Sequence, residues 1–118
     1  MMKLFEVLET LSARVLVGDE QLNKDIVGGG SADLMEDVLS AAARDAVLLT
    51  GVIDEQVIRT AKVAGVGAVV IVRGKSPPQG LIDLARDNDM PLLVTGKSLF
   101  AASGCLYMDG LRGLDGSW

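Results

Sequence analysis

The sequence predicts a single α/β domain: a mainly parallel β-sheet of about four to six strands, flanked by helices and built from repeated βα units. Three observations point there. The segments "AVLLTG", "VVIVRG" and "PLLVTG" close on Gly51, Gly74 and Gly96, 23 and 22 residues apart. Each run is apolar at nearly every position, as suits strands covered on both faces rather than one. Each is followed by an amphipathic segment: Val57, Ile58 and Ala61, then Leu81, Leu84 and Ala85, then Leu99, Ala102, Cys105 and Leu106. With 118 residues and 49% hydrophobic content, the chain has the length and apolar material for one folded domain.

In chain order, Leu4, Phe5, Val7, Leu8 and Leu11 fall at helical spacing, predicting a helix over 1–11 that ends near Ser12. "RVLVG" (14–18) reads as a short strand, and "DIVGGG" (25–30) as a second strand running into a flexible turn formed by Gly28, Gly29 and Gly30. In "SADLMEDVLSAAA", Leu34, Met35, Val38 and Leu39 supply an apolar stripe, with Asp33 and Glu36 placed as a capping pair. Asp54 and Ser98 are expected to cap the helices that follow their strands, and Pro77 and Pro78 to open another. Met35, Met90 and Met108 read as core or edge fillers, and Cys105 as a small core residue. The tail "GLRGLDGSW" has no clear period and is expected to be frayed, or docked through Leu114 and Trp118.

Composition excludes several function classes. A formal charge of −5 and 3% aromatic content remove the basic footprint and stacking platforms of nucleic-acid binders. With no histidine and one cysteine, the chain lacks the residues for Ser-His-Asp, Cys-His or His/Cys zinc chemistry, which leaves catalysis only to carboxylates, lysines or a bound metal; no pattern singles out a catalytic residue, a metal site or a cofactor, and none is expected. The sequence has neither the pattern of a cleaved leader nor an apolar run of membrane-spanning length, and a cytoplasmic location is expected. Asp19, Glu20 and Asp25 flank a loop, with no spacing that separates acid/base work from a solvated surface.

The motif that invites a functional reading is Gly-Lys-Ser, found at 74–76 and again at 96–98. A phosphate-binding Walker loop needs an earlier glycine, G-x-x-x-x-G-K-[ST], so that successive N–H groups wrap the phosphates. That position before Gly96 is Pro91. The repeat instead reads as a turn plus a cap, glycine leaving the strand and serine opening the helix. Two readings of the turns stay open, a solvated charged edge or a weak anion site at the C-terminal ends of the strands. The candidate ligand residues are Gly51, Arg73, Gly74, Lys75, Ser76, Thr95, Gly96 and Lys97. At "GGGSAD", Asp33, Glu36 and Asp37 already complement the helix dipole and oppose a phosphate, so the favoured reading is a sharp reversal.

The progression from "VLVGDEQLNKDIVGGGSADLMEDVL" through "VLLTG" to "VIVRGKSPPQGLIDLARDNDMPLLVTGKSLF" resembles the DRTGG domain family over residues 3 to about 110. It is most similar to the stand-alone bacterial members, and also to the N-terminal domain of HPr kinase/phosphorylase. The strand-Gly-Pro-helix and Asp-x-Pro progressions of such relatives are matched by Ile71 to Pro78 and Asp89 to Thr95. The family's Asp-Arg segment falls at "GVIDEQ" (51–56), and its Thr-Gly-Gly at Arg73-Gly74-Lys75. The resemblance implies an accessory or regulatory domain, often fused to nucleotide-binding regulatory domains, without established catalytic residues. The expectation is therefore a DRTGG-like domain over 1–110 with a Gly-rich tail over 111–118. It is expected to be non-enzymatic and homodimeric, acting through an as yet unidentified protein partner. A sensor of a small anionic ligand such as a nucleotide or phosphometabolite is the alternative, and a phosphoryl-transfer enzyme a remote one.

Overall fold

The computed structural model describes residues 1–40 and 44–113. Its central sheet has five strands: β2 (Arg14–Val17), β4 (Gly28–Ser31), β5 (Ala46–Thr50), β6 (Ala68–Ile71) and β7 (Leu92–Val94). Their order is β2-β7-β6-β5-β4; β4 to β7 run parallel, while β2 lies antiparallel on the β7 edge. A two-residue ribbon pairs β1 (Met2–Lys3) with β3 (Asp25–Ile26). The helices are α1 (Leu4–Thr10), α2 (Met35–Ser40), α3 (Gln56–Ala64), α4 (Gln79–Asp87) and α5 (Leu99–Met108).

Every residue of β5, β6 and β7 is buried, and alternation along the strands divides them between two cores. Leu48, Val69, Ile71, Leu92 and Val94 meet α2, α3 and α4 through Val38, Val57, Ile58, Ala61, Leu81 and Ala85. Val47, Leu49, Ala68, Val70 and Leu93 meet α1 and α5 through Leu4, Val7, Leu11, Ala102 and Leu106. The mainly parallel, doubly covered α/β sheet predicted from the three apolar runs is the observed architecture. Its repeated units are β5-α3, β6-α4 and β7-α5.

Several local expectations are corrected. The first helix starts at Leu4 rather than Met1, because Met2 and Lys3 pair with Ile26 and Asp25 and Lys3 Nζ meets Asp25 Oδ1 at 2.7 Å. The amide of Lys3 donates to Glu6 Oε1 at 3.1 Å, which holds the first turn. Gly28, Gly29 and Gly30 do not form a turn: with Ser31 they are the edge strand β4, in register with Ala46 to Leu49. Ladder pairing supplies the order that side chains do not. A Cβ at Gly29 would stand 3.0 Å from Leu111 Cδ2, so glycine there lets the chain after α5 cross close to the sheet. Leu111 is buried, and the Gly29 N–H donates to the Arg112 carbonyl, so packing continues past residue 110. Leu114 and Trp118 lie outside the described residues.

Among the caps, Ser98 behaves as predicted, its Oγ accepting from the Ala101 N–H at 3.1 Å. Asp54 Oδ1 accepts from the Gln56 N–H at 2.9 Å. Ser76 caps nothing: α4 starts at Gln79 with Pro78 at its N-cap, so the first Gly-Lys-Ser, at 74–76, is not a turn-plus-cap unit. Of the methionines, Met90 is buried and Met35 half-buried against the core, but Met108 is 84% exposed and fills no part of it. Cys105 is half-buried against the α1/α5 core.

Gly18 joins β2 to the rest of the domain. It has φ +101°, and a Cβ there would lie 2.9 Å from Pro91 Cα, a backbone atom just before β7. Gly18→Ala should cost about 2 kcal/mol from the left-handed backbone alone, with the contact adding to it. Urea titration checks this: an unchanged midpoint would mean the β2 edge adjusts freely.

Candidate functional site

The C-terminal ends of β4 to β7 form one edge of the sheet, where ligands of open α/β folds bind. The edge gathers most of the predicted site residues. Gly51 and Thr95 are buried at the ends of β5 and β7, Arg73, Gly74, Lys75 and Ser76 are exposed after β6, and Gly96 and Lys97 follow β7. The sequence reading missed the residue that organises them, Asp33, which it assigned to capping α2.

The Asp33 carboxylate is turned to the neighbouring strand end instead. Its Oδ1 accepts from the Gly51 N–H at 2.8 Å and from the Thr50 hydroxyl at 3.2 Å. Its Oδ2 stands 3.6 Å from Arg73 Nη2. The Arg73 guanidinium lies so close over Gly51 that a Cβ there would overlap it. Lys75 Nζ donates to the Gly51 carbonyl at 2.6 Å. The two cations offered by the sequence as an anion site are therefore occupied within the chain, one by a carboxylate and one by a carbonyl. Arg73 and Asp33 are each more than two-fifths exposed, so their attraction is shared with water and weak.

Arg73 and Gly74 both have positive φ, 66° and 65°. This brings the turn after β6 onto β7: the Arg73 N–H donates to the Lys97 carbonyl at 2.7 Å and the Gly74 N–H to the Thr95 carbonyl at 2.9 Å. A phosphate loop works by aiming consecutive N–H groups at the ligand. Here both amides point into the protein. Residues 92–94, within the span a Walker loop would need, are strand β7. Thr95 is equally committed: 3% exposed, its hydroxyl donates to the Leu11 carbonyl at 2.7 Å, tying the end of α1 to β7. Among the acids noted in the sequence, Asp25 is held by Lys3, and Asp19 and Glu20 are exposed on the turn of 3-10 helix at Asp19–Gln21.

A second concavity, of about 380 Å³, lies beside the β4 edge. Gly30, Ser31 and Leu49 line it from the sheet, Ser103 and Tyr107 from α5, and Arg112 from the chain beyond. Ser31 Oγ and Ser103 Oγ are 2.6 Å apart, and the Arg112 guanidinium stacks 3.8 Å from the Tyr107 ring centre. The sequence signal for it was the glycine triplet, which marks close approach when it sits in a strand and was read as a reversal. Among the described residues, no three His, Cys, Asp or Glu side chains cluster to hold a metal ion, and no helix is long and apolar enough to cross a membrane.

Two consequences are measurable. The Gly51 amide, above all, holds the Asp33 carboxyl below the usual carboxylate range; the Thr50 hydroxyl and Arg73 act in the same direction, while partial burial opposes them. A carboxyl acidified by folding stabilises above its unfolded pKa, and that contribution fades as pH falls through the folded value. The stability difference between the wild-type chain and Asp33→Asn should therefore be largest at neutral pH and shrink below about pH 4; a pH-independent difference would show that the charge plays no part. Thr95→Val, which leaves the Leu11 carbonyl without its donor, should cost about 1–2 kcal/mol in denaturant unfolding. A neutral result would mean that water replaces the hydroxyl.

Comparison with curated proteins finds no match. A solved structure similar in fold comprises the CBS and DRTGG domains of the regulatory region of Clostridium perfringens pyrophosphatase, complexed with its activator diadenosine tetraphosphate. It superposes with a TM-score of 0.70 at 20% identity, over 88% of this chain and 45% of that one. This chain thus corresponds to less than half of that regulatory region. The DRTGG domain model matches residues 6–106, a span that takes in the whole of the α2/α3/α4 core, most of the α1/α5 core and all the predicted strand-end residues. On that match, and on the βα order that the sequence and the structure share, the chain belongs to the DRTGG domain family.

Proposed function

We propose that this chain is a non-catalytic regulatory domain that works through protein contacts, as a homodimer in the cytoplasm with a further protein partner. The observation that carries the reading is the closed strand-end edge: Arg73 is met by Asp33, Lys75 by the Gly51 carbonyl, and the turn amides by Lys97 and Thr95. A catalytic or anion-holding edge needs such groups free and aimed at a ligand. Membership in the DRTGG family, and the place of a similar domain in a regulatory region, support the same reading.

A second reading, a sensor of nucleotides or phosphometabolites, is favoured by one feature. The Arg73–Asp33 pair is long and solvent-shared, so a phosphate oxygen has the chemistry to take the carboxylate's place on the guanidinium. Activator binding by the regulatory region of the pyrophosphatase is consistent with this alternative.

Thermal unfolding with ATP, GTP, diadenosine tetraphosphate, sugar phosphates and Mg²⁺ separates the two readings. Under the proposal, no addition raises the midpoint of the wild-type chain. A ligand at 100 times its dissociation constant adds about 2.7 kcal/mol, a readily measured rise for a domain of this size. A rise that disappears in Arg73→Ala overturns the proposal in favour of the sensor. Turnover of ATP by the purified chain, abolished in Lys97→Ala, overturns both.

A further inference from the structure

Helix α5 has the sequence LFAASGCLYM, ten residues without one charged side chain. A helix apolar on all sides is normally covered on all sides. One side of α5 is: Ala102 and Leu106 are buried in the α1/α5 core, and Ser103 faces Ser31. The other side is open. Phe100 is 90% exposed, Met108 84% and Tyr107 55%, and between them Ala101 and Gly104 are exposed too. Phe100, Gly104, Tyr107 and Met108 follow the i, i+4, i+7, i+8 spacing of one helical face.

Gly104 is the informative residue. It lies in the middle of the helix, where glycine costs about 1 kcal/mol relative to alanine. Nothing among the described residues calls for it, since a Cβ there would have none of their atoms within 4 Å. Around it the positions pair: large Phe100 four residues before and large Met108 four after, small Ala101 three before and large Tyr107 three after.

We propose that this face is the homodimer interface, two copies of α5 crossing antiparallel on a two-fold axis at Gly104. The axis brings Phe100 to the level of the partner's Tyr107 and the partner's Met108. Ala101 leaves room for these larger side chains, and the paired glycines let the backbones approach. Each large side chain then meets a complementary position on an identical surface, the defining property of an isologous contact. The face itself carries no charged side chain, Arg112 reaching it only across the Tyr107 ring, so it matches a second copy of itself rather than a charged partner. The three large side chains expose roughly 400 Å² in each copy, the size of the largest apolar patch on a typical monomer. Doubled, and with the flanking backbone added, this approaches the ~1,200 Å² at which specific interfaces begin.

The inference rests on the homodimer of the proposed function, and sedimentation of the full chain separates the two. Phe100→Glu and Met108→Lys, both at exposed positions, should each weaken dimerisation at least about ten-fold while leaving thermal unfolding of the monomer cooperative. Mixing the two variants should restore a dimer, because one end of the interface then pairs Glu with Lys and the other is native. A wild-type chain that sediments as a monomer overturns the homodimer itself. A wild-type dimer that persists in both variants leaves the homodimer standing and overturns the α5 interface. Variants that are monomeric alone and remain so when mixed overturn the antiparallel crossing.

Discussion

Four parallel strands joined by helical crossovers cannot leave a face of their sheet bare, and most of this structure follows from that constraint. β5, β6 and β7 are buried at every position, so their neighbours above and below must both be apolar. The chain meets the requirement with α2, α3 and α4 on one side and α1 and α5 on the other. The N-terminal segment is drawn in by the same need: Leu4, Val7 and Leu11 complete the second layer, and the Thr95 hydroxyl holds the end of that helix to β7. Even the edge strand of glycines serves it, since the absence of a side chain at Gly29 lets Leu111 pack there.

The strand-end edge is a by-product of this topology that the chain has closed with its own groups. Parallel strands leave their last amides and carbonyls together at one end, and a ligand or the protein must satisfy them. Asp33 takes the Gly51 amide, Lys75 takes the Gly51 carbonyl, and the left-handed turn at Arg73 and Gly74 is spent on bonds to the end of β7. An edge closed in this way suits a domain whose work lies in its surfaces. α5 provides such a surface: it is the last helix of the repeat, its inner face completes a core, and its outer face has the same apolar character and, Arg112 over the Tyr107 ring apart, is exposed among the described residues.

The amino-acid pattern by itself determined the α/β class, the three βα units and the apolar runs of the central strands, but not every stripe residue: Phe5, Leu34 and Leu39 are exposed. The reason is local: a strand buried on both faces must be apolar throughout, and a helix packed on one face must repeat at about 3.6 residues, so both leave a direct signature. The cap at Ser98 was legible for the same reason, because a cap is a contact over three residues. What only the tertiary structure decided are contacts between groups far apart in sequence. "GGGS" carries no strand signal and became a strand because β5 lies beside it. Asp33 has the form of a cap and became the partner of Gly51 and Arg73, because the parallel register of β4 and β5 brings their ends together. The two Gly-Lys-Ser turns are identical as text, yet one caps a helix and the other does not, since Pro77 and Pro78 delay the start of α4. Met108 reads as a core or edge filler on composition alone; it lies outside because the opposite face of α5, through Ala102 and Leu106, meets the sheet.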